Sequence, residues 1–172
     1  MYKMKRNLKT QKWCILLLLG LSSAFLFYGC VPTPAPNKAP DFTLPDVEGN
    51  LFTLRAKEGQ PLVLCFFTVQ CPHCINEVPH LNAIYQEYKD SHGLLVVGVA
   101  AGEPQAEVEN FIDTYSVEYP VLLDSQGKVA NLYGVRYVPH LFFIDRRGYI
   151  EVNPGAGLIN QSTLESYVQR II

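Results

Sequence analysis

The stretch VQCPHCINEVP, Val69 to Pro79, sets two cysteines two residues apart, with Pro72 and His73 between them. Such a pair serves as a redox centre, as half of a zinc site or as a structural disulfide. The residues after it are helical in pattern: Val78, Leu81, Tyr85 and Tyr88 recur at spacings of three, four and three, so a helix is predicted to about Asp90, closed by His92-Gly93. The residues before it form a strand. Leu62 to Phe67 is a continuous apolar run of the length and composition of a central strand buried on both faces. The cysteines therefore sit where a buried strand hands over to a helix.

Outward from that junction the chain alternates. Phe42 to Leu44 and Leu51 to Leu54 flank Asp46 and Glu48-Gly49-Asn50, which reads as a small hairpin. Leu94 to Val99 is a second buried strand, and Pro104 opens an acidic helix with Val108, Phe111, Ile112 and Tyr115 as its inner face. A short extended piece at Val121 to Leu123 and a short helix near Val129 to Tyr133 come next. Leu141 to Ile144 and Tyr149 to Val152 flank Asp145-Arg146-Arg147-Gly148, a second hairpin. Ser162 and Glu165 read as the capping box of a last helix, with Leu164, Tyr167, Val168 and Ile171 as its apolar stripe. This order predicts an α/β fold with a mixed sheet and helices on both faces.

The N-terminus reads differently. Lys3, Lys5, Arg6, Lys9 and Lys12 precede an apolar run from Trp13 to Gly29, the form of an export signal or a short membrane anchor. The basic side stays in the cytoplasm, so the remainder is expected outside the cytoplasmic membrane. Gly29-Cys30 resembles a bacterial lipobox, although Leu26-Phe27-Tyr28 is bulkier than that pattern, so Cys30 is a lipidation candidate beside an uncleaved anchor. Val31 to Pro40 holds four prolines and reads as a semi-rigid spacer. The expected division is an anchor over 1–29, a linker over 30–40 and a folded domain over 41–172.

From Val31 onward nine Lys or Arg face sixteen Asp or Glu, a net charge of −7. That acidity offers no basic stripe for nucleic acid. Of five cysteines, Cys14 lies in the apolar run, Cys30 at its end, and Cys65 inside PLVLCFF, where it reads as a buried strand residue without chemistry. Cys71 and Cys74 remain as the pair.

An attacking cysteine must be a thiolate, so its pKa has to fall from about 8.5. Redox cysteines lie between about 3.5 and 7, which amounts to roughly 2–7 kcal/mol. A helix end supplies about 0.3–2 kcal/mol. Hydrogen bonds to the charged sulfur, each about 1.5–3 kcal/mol, must supply the remainder. Pro72 fixes the turn and removes one donor, while His73 can donate or carry charge, so both are expected to tune the pair.

With these residues in hand, the chain from about Ala39 to Ile172 resembles the TlpA/ResA-like, membrane-tethered branch of thioredoxin-fold thiol–disulfide oxidoreductases. The matching features are APDFTLPDVEGN, Cys71-x-x-Cys74, Glu77 followed by Pro79, an insert ending EYPVLLD, and VRYVPHLFFIDRRG. The resemblance implies a thioredoxin-like fold with an N-terminal β-hairpin and a central insert. It implies a cis proline at Pro139 facing the redox pair, proton transfer by Glu77 at Cys74, and a helix kink at Pro79. It also implies protein thiol or disulfide substrates, a membrane redox partner that recycles the pair, and cytochrome c maturation or general disulfide formation as tasks. No dissociable cofactor and no metal are expected, since the Cys71–Cys74 bond itself stores the electrons.

Three positions depart from the family pattern: Gln70 in place of Trp before the first cysteine, His140 in place of Thr after the proline, and the dipeptide Pro72-His73. That dipeptide is the one found in the oxidant DsbA, whereas TlpA/ResA relatives usually reduce. Two other readings compete. Thr68 stands three before Cys71 as in the peroxiredoxin pattern P-x-x-x-T-x-x-C, but Leu64 occupies its proline position. A metal-binding protein would need His73, His80 or His140 to complete a site, whereas His80 and His140 read more simply as a solvated surface residue and a packed one.

Overall fold

The computed structural model describes residues 37–172. The expected anchor over 1–29, lipidation at Cys30 and most of the spacer lie outside the described residues. Among the described residues no helix is long and apolar enough to cross a membrane.

Strands β1 (Thr43–Pro45) and β2 (Leu51–Thr53) pair antiparallel as the expected hairpin, and a 3-10 turn over Leu54–Lys57 leads out of it. Next come β3 (Leu62–Phe67), α1 (Pro72–His92), β4 (Leu95–Ala101), α2 (Gln105–Tyr115), β5 (Val121–Asp124), α3 (Lys128–Leu132), β6 (His140–Ile144), β7 (Ile150–Val152) and α4 (Gln161–Val168). The five-stranded sheet has the order β5-β4-β3-β6-β7. β3, β4 and β5 run parallel, while β6 lies antiparallel to both β3 and β7. The thioredoxin-like topology arises from the sequence order. Two helical crossovers, through α1 and α2, carry the chain outward from β3 on one face, and the return through α3 covers the other.

The unbroken apolar run of β3 now has its reason. All six of its residues are buried because alternate side chains serve two separate cores. Val63, Cys65 and Phe67 pack with Cys74, Val78, Leu81 and Ile84 of α1, Val108 and Phe111 of α2 and Leu164 and Val168 of α4. Leu62, Leu64 and Phe66 pack with Phe42, Leu54, Val129, Ala130 and Phe142 on the opposite face. On α2 the inner face is narrower than expected: Val108 and Phe111 are buried, Ile112 is half-buried and Tyr115 is exposed.

Two further expectations are corrected. The last helix is capped by Asn160, whose Oδ1 accepts the Thr163 N–H at 2.9 Å, with the Ser162 hydroxyl donating to the same oxygen at 2.9 Å. Glu165 accepts from Gln161 at 2.8 Å instead of closing a capping box with Ser162. Asparagine and serine both suit an N-cap, and the one standing two residues earlier takes it. The folded body also begins before residue 41. The Ile150 N–H donates to the Asn37 carbonyl at 2.8 Å, the Ala39 N–H to Gly148 at 2.9 Å, and the Tyr133 hydroxyl to the Pro40 carbonyl at 2.7 Å. The end of the proline-rich segment is thus bonded along the edge of the sheet.

Candidate active site

The site forms where β3 ends. A turn through Thr68, whose carbonyl accepts the Cys71 N–H at 3.3 Å, brings the chain into α1. Cys71 is the N-cap, with extended φ −80° and ψ 112°. Its Sγ accepts the Cys74 N–H at 3.2 Å, taking the place of the side-chain oxygen that usually caps a helix. Pro72 occupies the first helical position, where its missing N–H has no intrahelical partner to lose. Further along, Pro79 lies inside α1 without ending it, and leaves the Ile75 carbonyl without its usual donor. Gly93 stops the helix in the left-handed conformation (φ 65°) and donates back to the Tyr88 carbonyl.

Cys71 and Cys74 are free thiols with unlike surroundings. Cys71 is half-buried and faces Val138, its Sγ lying 3.6 Å from that residue's carbonyl oxygen. The peptide bond between Val138 and Pro139 is cis, so the geometry that the resemblance implied is present. Pro72 and His73 are exposed, whereas Cys74 is only 3 % accessible and faces the core. Burial pushes the Cys74 thiol well above its ordinary range, and its hydrogen bond with Cys71 adds to that, against a smaller opposing contribution from the Thr68 backbone. The outer sulfur is reachable and the inner one is held protonated.

Glu77 lies one turn past Cys74 on the same helical face and is fully buried. Its Oε2 accepts the Ile159 N–H at 3.0 Å, while Oε1 has no hydrogen-bond partner. Burial raises its pKa, offset in part by the Ile159 N–H and by His80. Stability depends on pH in a definite direction as a result. Below the ordinary Glu value of 4.5 the carboxyl is protonated in the folded and the unfolded chain alike. Above 4.5 the unfolded chain ionises first, so folding stability falls as pH rises through the folded value. Relative to the parent, Glu77→Gln should therefore have its smallest thermal advantage near pH 4.5 and an increasing one towards pH 8. A difference in Tm that stays flat with pH would overturn this account.

The histidines separate. His73 is exposed beside the cysteines. His140 stacks on Phe142, with ring centroids 4.7 Å apart, and its Nε2 lies 2.9 Å from Asn153 Oδ1, as a packed residue should. His80 corrects the expectation of a solvated residue: it is half-buried and its Nδ1 lies 3.0 Å from the Ile159 carbonyl. The Asn153–Asn160 loop supplies this contact, and a partner so distant along the chain does not show in the helical periodicity. Cys65 sits on β3 beneath the site, its thiol pushed far up by burial and then by the neighbouring Cys74, Glu77 and Cys71. Among the described residues no three His, Cys, Asp or Glu side chains gather as a metal-holding group. A cavity of about 100 Å³ lies elsewhere, at the start of β3 among Ala39, Leu54, Leu62 and Ile144.

Sequence reading missed the contacts made through backbone: the Val138 carbonyl facing Cys71, and both polar groups of Ile159. The only trace of the second was the loop NPGAGLIN, whose Gly155 and Gly157 adopt positive φ.

Residues 35–153 match the family described as AhpC/TSA. The thiol-disulfide oxidoreductase ResA of Halalkalibacterium halodurans is 30 % identical over 97 % of both chains. ResA of Geobacillus thermodenitrificans is 32 % identical over 86 % of this chain and 87 % of its own. Among solved structures, a putative thiol:disulfide interchange protein DsbE from Chlorobium tepidum superposes with a TM-score of 0.73 at 29 % identity, covering 78 % of this chain and 95 % of that one. A secreted Mycobacterium tuberculosis disulfide oxidoreductase homologous to E. coli DsbE gives 0.67 at 26 % identity, covering 75 % and 95 %. With the fold and these likenesses in agreement, the chain belongs to the AhpC/TSA family, as a thioredoxin-fold thiol–disulfide oxidoreductase of the TlpA/ResA-like branch.

Proposed function

We propose that Cys71 and Cys74 are the redox pair, and that the protein exchanges disulfides with protein substrates on the outer side of the bacterial cytoplasmic membrane. The observation that carries this reading is the half-buried Cys71 sulfur at the helix mouth, 3.2 Å from the Cys74 N–H and beside the carbonyl that precedes Pro139. In the reducing direction the Cys71 thiolate attacks one sulfur of a substrate disulfide. That S–S bond breaks, the departing substrate sulfur takes a proton, and a mixed disulfide remains. Cys74 then passes its proton to Glu77 and attacks the Cys71 sulfur. The substrate leaves as a dithiol and the two electrons come from the Cys71–Cys74 pair. Oxidation of a substrate is the same path reversed. Pro139 would line the groove that holds the substrate segment.

The location rests on the basic head and apolar run of residues 1–29, as anchor or, through Cys30, as lipoprotein, and on the secreted character stated for the mycobacterial relative. A membrane protein that carries dithiols would recycle the pair, with cytochrome c maturation or disulfide formation as the task served. Equilibrating the Cys71–Cys74 pair with glutathione buffers tests the direction. A potential near −270 mV, about that of thioredoxin, makes it a reductant, and one near −120 mV, about that of DsbA, an oxidant. His73 sets part of this value in our reading. An anion in its place disfavours the Cys71 thiolate and hence the reduced form, so His73→Glu should lower the potential by roughly 20–30 mV. An unchanged potential would remove His73 from the mechanism.

The AhpC/TSA match and Thr68 support a second reading, a thiol peroxidase. Against it, Leu64 is fully buried in mid-strand, paired with Val97 and Phe142, where the peroxidase pattern wants proline. Rapid stoichiometric consumption of hydrogen peroxide by the reduced protein would favour it.

A further inference from the structure

The loop Asn153–Asn160 is fastened to the candidate site at three points. Asn153 Oδ1 lies 2.9 Å from His140 Nε2, the Gly157 N–H donates to the Pro139 carbonyl at 2.8 Å, and Ile159 is held by α1. The hold on Ile159 is double: its N–H donates to Glu77 Oε2 and its carbonyl lies against His80 Nδ1, each at 3.0 Å. Glu77 and His80 are three residues apart and share a helical face, so they grip one residue by both of its backbone polar groups. A carbonyl oxygen only accepts, so Nδ1 of His80 must carry its hydrogen. Protonation at Nε2 then adds charge without disturbing that bond.

The other groups that face Glu77 cannot supply a positive charge. They are Cys74 beside it with Cys71 beyond, Cys65 on β3 and Tyr119 just ahead of β5, each neutral or negative in any protonation state. The loop has no ionisable side chain, and Glu165 of α4 is turned to Gln161.

We propose that His80 is a positioning residue for the thiol–disulfide reaction: it holds Ile159 so that the Ile159 N–H engages Glu77 Oε2 and leaves Oε1 free for the proton of Cys74. Its cationic form extends the pH range in which Glu77 is ionised towards acid. This rests on the proton-transfer reading of Glu77 given above.

The test uses the reduced full-length protein and 5,5′-dithiobis(2-nitrobenzoate). Attack by Cys71 releases one thionitrobenzoate, and attack by Cys74 on the resulting mixed disulfide releases a second. The second rate is followed against pH. Glu77→Gln should slow it by about 10²-fold at neutral pH, the lower end of what positioned proton transfer contributes. His80→Ala should move the acidic limb of the profile to higher pH and slow the second release several-fold on that limb, with the first release unchanged. His80→Asn, which keeps a donor to Ile159 but no charge, should show the same displacement and recover the parent rate at high pH. If Glu77→Gln slows the second release while both His80 variants overlay the parent, or fall uniformly at all pH values, the His80 role is overturned. If Glu77→Gln overlays the parent, the proton-transfer reading fails first and the His80 role with it. Should His80→Ala not fold, the displaced or undisplaced profile of His80→Asn decides.

Discussion

Cys71→Ser is expected to lower disulfide exchange by at least about 10³-fold, since a serine hydroxyl is not ionised near neutral pH and cannot form the S–S bond on which the cycle depends. Cys74→Ser should behave differently. Its outer sulfur is intact, so the first attack proceeds, but nothing inside the protein resolves the product. A mixed disulfide at Cys71 should then accumulate and be visible by mass spectrometry as the added mass of the substrate. The asymmetry comes from placement: Cys71 is half-buried at the helix mouth, while Cys74 is 3 % accessible and turned to the core. Full turnover by Cys71→Ser, or trapping at Cys74 in place of Cys71, would overturn the assignment.

Phe66→Ala should cost about 3–5 kcal/mol of folding stability, the range for removing a fully buried aromatic ring. Phe66 is inaccessible to solvent and sits in mid-sheet, with Tyr133 and Phe142 rings at 5.4 and 5.9 Å. Its neighbours are held by strands on both sides, so the cavity has little means to collapse. The loss is a large share of the roughly 5–15 kcal/mol typical of a domain. Urea denaturation should show a lower midpoint at unchanged slope. Leu51→Ala, at a residue 74 % exposed, should stay within about 0.5 kcal/mol and serves as the control. Because Phe66 pairs with His140 across β3 and β6, the variant should also disturb the seating of the Pro139 segment against Cys71.

How far these features could be read in advance depended on whether they are written in side chains. The run Leu62–Phe67 announced a strand buried on both faces because both faces demand apolar residues. Cys71-x-x-Cys74 before a 3–4–3 apolar spacing announced a helix mouth, because only one turn lies between the sulfurs. His80 was misread because the spacing argument places it away from Leu81 and Tyr85, and the partner that half-buries it is a carbonyl 79 positions later. The capping of the last helix was misplaced because Asn160 and Ser162 are both competent, and local preference alone does not rank them. The start of the folded body was set too late since Pro40 and its neighbours are bound through main-chain atoms, which proline-rich composition conceals.

The bonds of Asn37 and Ala39 to Ile150 and Gly148 have a consequence for access. They lie at the pole of the sheet where β3 begins, and Cys71 lies past the pole where it ends, about 20 Å away for six extended residues. The main-chain bonds made at residues 37 and 39 are therefore remote from the helix mouth, and the approach to Cys71 does not pass over them.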